Sequence, residues 1–141
     1  MTRPTFYFRC IILVLACALT MAPSCSGSQC NTGTQQQLAN PTSGQAGVQT
    51  TIGQIIIVGN GNNNALYTGY NQWEITLTDA SGLTITGGPL QLVPDPGGFH
   101  PYSSDFFYAS PVPTLPVGQT WNATLKRLDG SCSVSVGTFY T

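Results

Sequence analysis

The stretch Gln72-Trp73-Glu74-Ile75-Thr76-Leu77-Thr78 decides the fold. Trp73, Ile75 and Leu77 alternate with Gln72, Glu74, Thr76 and Thr78, the period of two that an extended strand imposes on its two faces. A strand with one apolar and one polar face belongs to an antiparallel sheet that covers a core on one side and meets water on the other. The same signature returns at Trp121 to Leu128, where Trp121, Ala123 and Leu125 share a side. Turn residues recur roughly every ten positions around these stretches, as Asp79-Ala80-Ser81-Gly82, Gly87-Gly88-Pro89, Asp95-Pro96-Gly97-Gly98 and Asp129-Gly130. No segment after residue 33 sustains helical apolar spacing, so helices are not expected.

The remaining strands follow from the same rules. Thr34 to Leu38 reads as a first strand, closed by Asn40-Pro41-Thr42-Ser43-Gly44. The unbroken Ile55-Ile56-Ile57-Val58 within Gln54 to Val58 predicts a strand covered on both faces or placed at a sheet centre. Asn60 to Asn64 is expected to be a loop. Leu83 to Thr86, Leu90 to Val93, Asp105 to Ser110 and Cys132 to Tyr140 complete the set, with Pro111 to Gly118 as a proline-rich crossover. Together they predict an all-β, immunoglobulin-like β-sandwich of about seven antiparallel strands over residues 34–141.

Residues 1–24 have the layout of a signal peptide. MTRPTFYFR carries two positive charges, and Cys10 to Met21 is an apolar run broken only by Thr20. The run ends at Ala22-Pro23-Ser24 after about a dozen residues, short of the ~20 that a membrane span needs. Met21-Ala22-Pro23-Ser24-Cys25 resembles a bacterial lipobox, departing from it at Ala22 and Pro23; Val14-Leu15-Ala16-Cys17 is a rival. Lipidation at Cys25 leaves Cys30 and Cys132 to pair, whereas cleavage at Cys17 strands an odd thiol. An ordinary signal peptide, with Cys25 a third mature cysteine, is the alternative. A Cys30–Cys132 disulfide fits an oxidising compartment. Residues 25–33 would then be a tether to the outer membrane or to the outer face of the plasma membrane, and an unlipidated form would be secreted.

Charge excludes one class of partner. Beyond residue 24, Lys126 and Arg127 stand against Glu74, Asp79, Asp95, Asp105 and Asp129, so two cations against five carboxylates leave −3. Two adjacent cations make no basic face, and nucleic-acid binding is not expected. The chemistry of catalysis is also sparse. His100, in Gly97-Gly98-Phe99-His100-Pro101-Tyr102, is the single histidine and is expected on a surface loop. Asp79, Asp95 and Asp129 sit where aspartate caps turns. No Gly-x-Ser-x-Gly elbow or phosphate loop occurs, and no metal or cofactor is expected.

The feature that stands out is aromatic. Phe99, Tyr102, Phe106, Phe107 and Tyr108 cluster in the sequence, and Tyr67 and Tyr70 follow the Asn-rich loop. Sugar-binding sandwiches stack ligands on such rings and surround them with amides, which makes Tyr67, Tyr70, Tyr102, Tyr108, Asn62 and Asn63 candidate ligand-binding residues. The competing reading places these rings in the core and its lid.

Two segments carry a resemblance. Leu115-Pro116-Val117-Gly118-Gln119-Thr120-Trp121 resembles the corner before strand F of fibronectin-type and related immunoglobulin-like domains, although Trp121 lacks the tyrosine hydroxyl that ties that corner. Asn40-Pro41-Thr42-Ser43-Gly44-Gln45-Ala46-Gly47-Val48 resembles the opening of bacterial immunoglobulin-like modules, and the chain from 34 to 141 is similar to small exported proteins of that kind. The resulting expectation is a non-catalytic cell-envelope lipoprotein with a structural or protein-interaction role. It would be anchored to the membrane by lipid and would meet an envelope protein or a glycan. A carbohydrate-binding module is the alternative, and a hydrolase, which requires two of the five carboxylates close together, is the third.

Overall fold

In the computed structural model, which describes residues 36–60, 64–102 and 105–141, the alternation of Trp73 to Thr78 becomes a strand buried at every second position. The strands in chain order are β1 (Gln37–Asn40), β2 (Gln54–Asn60), β3 (Trp73–Thr78), β4 (Thr84–Pro89), β5 (Gln91–Val93), β6 (Asp105–Pro111), β7 (Thr120–Arg127) and β8 (Ser133–Tyr140). They form two four-stranded antiparallel sheets, β1-β2-β6-β5 and β4-β3-β7-β8. This order, read as A-B-E-D facing C′-C-F-G, is that of an immunoglobulin-like sandwich. The strand count is eight, close to the expected seven, and the chain crosses from one sheet to the other at Leu90. Pro89 pairs with Glu74 in the second sheet, Gln91 pairs with Ala109 in the first, and the Leu90 N–H donates to the Trp73 carbonyl at 2.7 Å.

Three expectations are corrected. Helix α1 (Asn64–Gly69) and a 3-10 turn at Tyr70–Gln72 link β2 to β3 where no helix is expected. Six residues are too short for helical periodicity to register in the sequence. Gly87-Gly88-Pro89 is no turn but the end of β4, where one extra residue makes a bulge opposite Glu74 to Thr76. The first strand runs over Gln37–Asn40, later than the expected Thr34 to Leu38.

Inward side chains from both sheets, among them Ile55, Ile57, Ile75, Leu77, Trp121 and Phe139, build the main core. In β8 a bulge at Val136 changes the parity, so Val136 and Phe139 both face inward although three positions apart. Ser110 bridges the sheets: its buried hydroxyl accepts from the Ile75 N–H at 3.3 Å and donates to the Gly88 carbonyl at 2.7 Å. At the F-strand corner Thr141 performs the tie that a tyrosine hydroxyl would. Its hydroxyl donates to the Pro116 carbonyl at 2.7 Å and accepts from Trp121 Nε1–H at 3.3 Å. Asp79 and Asp129 cap turns as expected, accepting from Ser81 and Ser131. Those serine hydroxyls hold both carboxyls below the usual carboxylate range.

Candidate functional site

The run Ile55 to Val58 is covered on both faces. Ile55 and Ile57 enter the main core, while Ile56 and Val58 join Ala39, Phe107 and Ala109 in a second apolar cluster on the outer side of β1-β2-β6-β5. The chain after β5 forms the lid. Val93, Phe99 and Tyr102 pack on that cluster. Gly97 and Gly98, both at φ +88°, give the loop the left-handed turns it needs to arch over Phe107.

Asp95, His100 and Asp105 close this lid. Asp95 Oδ1 accepts from the Gly97 N–H at 2.7 Å, the expected turn cap. Its other oxygen lies 3.2 Å from His100 Nε2. Asp105, at the start of β6, accepts from the Tyr102 N–H through Oδ1 at 3.1 Å and places Oδ2 3.1 Å from His100 Nδ1. The imidazole thus stands between two carboxylates, edge-on to the Phe107 ring at 5.8 Å. An imidazolium donates to both carboxylates, whereas neutral imidazole has one N–H to give. The carboxylates sit on opposite ring nitrogens and do not converge. Among the described residues no group of His, Cys, Asp and Glu is arranged to hold a metal ion.

β5 pairs with β6 only as far as Phe107, so Asp105 and Phe106 run past its end. There an open groove of about 320 Å³ forms, lined by the Asp95–His100–Asp105 clasp and by residues Leu92, Val93, Tyr102, Phe106 and Phe107. Leu92 is half exposed at the edge. Tyr102 is partly buried there; burial raises its phenol above the usual range, against a lowering hydrogen bond from Gln37 Nε2 at 3.2 Å.

The candidate aromatic residues are not brought together. Tyr108 is 1% exposed and lies in the main core, where Tyr70 leans on it at 5.8 Å between ring centres. The sheet separates both from Tyr102, because neighbouring β6 residues alternate between its faces. Tyr67 lies in α1. Asn62, Asn63, Cys25 and Cys30 lie outside the described residues, as do the expected signal peptide and tether. Cys132 is 3% exposed within the main core. Of the five carboxylates only Asp95 and Asp105 meet, at His100; Glu74 is on the outer face of the other sheet. The sequence pattern gives His100 as a single loop histidine and does not link it to Asp105. The available signal was the spacing of Asp95, His100 and Asp105 across a Pro- and Gly-rich loop that must return to the sheet.

Compared with protein-family models, with curated proteins and with solved structures, the chain finds no match.

Proposed function

We propose that the protein is an exported, non-catalytic domain of the cell envelope, tethered through an acylated Cys25 and stapled by a Cys30–Cys132 disulfide, whose outer sheet face contacts another protein. The signal-like N-terminal segment and the cysteine parity support the tether, and the burial of Cys132 suits one half of a structural disulfide. The observation that carries the contact reading is the asymmetry of the two outer faces. The β4-β3-β7-β8 sheet turns Glu74, Thr78, Asn122, Thr124 and Lys126 outward as a polar face, as a solvated sheet does. The β1-β2-β6-β5 sheet instead carries a second apolar cluster that opens into a groove beside a half-exposed leucine on an edge strand. An edge strand beside an apolar groove is a surface suited to recognition.

A photo-reactive amino acid at position 92 is expected to form discrete adducts with one envelope protein in intact cells of the host. The same group at Thr86, on the polar face, is expected to form none. Equal labelling at both positions, or none at either, would contradict the contact reading.

A further inference from the structure

We propose that the groove at the end of β5 receives a guanidinium group, the arginine side chain of the contacting protein; this rests on the contact reading above. Charge is the first reason. The groove holds the carboxylates of Asp95 and Asp105, and among the described residues its only basic side chain is His100. The sole Lys and Arg of the described residues, Lys126 and Arg127, are on β7 in the opposite sheet. Arg127 is engaged there, over the Trp73 ring and 3.5 Å from Asp129. Among the described residues, none therefore supplies a guanidinium or ammonium to this pair of carboxylates.

The walls supply the second reason. Tyr102 and Phe107, both of the outer cluster, bring aromatic rings to the groove, which favour a planar, weakly hydrated cation over a compact ammonium. Val93 offers apolar surface for the methylene stem, and the half-exposed Leu92 lies at the rim on the edge strand. The carboxylates divide the work. Asp95 is half exposed, with Oδ1 on Gly97 and Oδ2 facing His100, and each oxygen's second lone pair can accept an incoming N–H. Asp105, whose side chain is only 6% exposed, contributes its field and holds His100 rather than touching the ligand. At about 320 Å³ the groove is near the lower end of the range for small-ligand sites, which suits one inserted side chain. A neutral sugar would leave the paired negative charge unused.

The test titrates the mature, isotope-labelled protein at low salt with N-acetyl-Gly-Arg-Gly-amide and with the same peptide bearing citrulline, which keeps the shape and removes the charge. The arginine peptide is expected to shift the amides of residues 92–102 saturably, and the citrulline peptide to bind about tenfold more weakly, the loss of one charge-assisted contact. Asp95→Asn keeps the oxygen that accepts from Gly97 and should weaken arginine binding about threefold or more. Leu92→Lys, at an exposed edge position, places a competing ammonium at the groove and should abolish binding while leaving the spectrum dispersed. Equal binding of the two peptides, no shift at the groove, or indifference to Leu92→Lys would overturn the proposal. In each of those cases, adducts that persist from position 92 would leave the contact reading standing, and their absence would remove it separately.

Discussion

Trp121→Ala is expected to destabilise the domain by about 3–5 kcal/mol, enough to place it at the margin of folding. Trp121 is fully buried on the inner face of β7, beside Ala123 and Leu125 and opposite Phe139 in the register of β8. Its loss removes the largest fully buried side chain among the described residues, and the β-ladders on either side of β7 limit collapse into the space. The indole has a second role through its N–H to Thr141, whose hydroxyl reaches the Pro116 carbonyl. Trp121→Phe separates the two, since it keeps most of the volume and gives up the hydrogen bond at a cost of about 1–2 kcal/mol. Urea unfolding of the two variants measures the difference. A Trp121→Ala protein within about 1 kcal/mol of the parent would show that the corner does not anchor the sandwich.

Gly87→Ala is the second severe change, at about 2–3 kcal/mol. A Cβ at position 87 would lie 2.9 Å from the Pro111 carbonyl oxygen and 3.1 Å from that of Ile75, and would meet the Ser110 hydroxyl as well. Two of those three neighbours are backbone, which cannot rotate aside. The bulge must then open, and with it the Ser110 bridge that joins β6 to β3 and β4. Gly88→Ala is the control: its Cβ would come no closer than 3.5 Å to the Pro111 ring, so it should cost about 1 kcal/mol or less. Equal thermal midpoints for the two variants would show that the approach of β4 to β6 is not tight.

The fold was legible where side-chain parity is strict. Trp73 to Thr78 and Trp121 to Leu125 announce their inner faces, and Ile55 to Val58 announces cover on both sides. What escaped depends on single inserted residues. The bulges at Gly87-Gly88 and at Val136 break the period of two, so a turn was expected where β4 continues. The transfer of the chain between sheets at Leu90 rests on one residue with no local pattern. The groove was less legible still. Strand parity places adjacent residues of Phe106-Phe107-Tyr108 on opposite faces, and the pleat sends Phe107 to the outer layer and Tyr108 to the core, but parity does not say which loop covers the outer ring. The pairing of His100 with Asp95 and Asp105 is set by the path of the loop across the sheet, which spacing alone does not give.

The central claim is that the outer face of β1-β2-β6-β5 is covered by a protein when the molecule is in place. Amide hydrogen exchange reads this without a substitution, by comparing the purified protein with the protein in membranes of its host. Residues 91–93 and 97–102 are expected to exchange more slowly in the membranes, while residues 76–86 exchange at the same rate in both. Identical exchange at 91–102 in the two preparations would contradict the account.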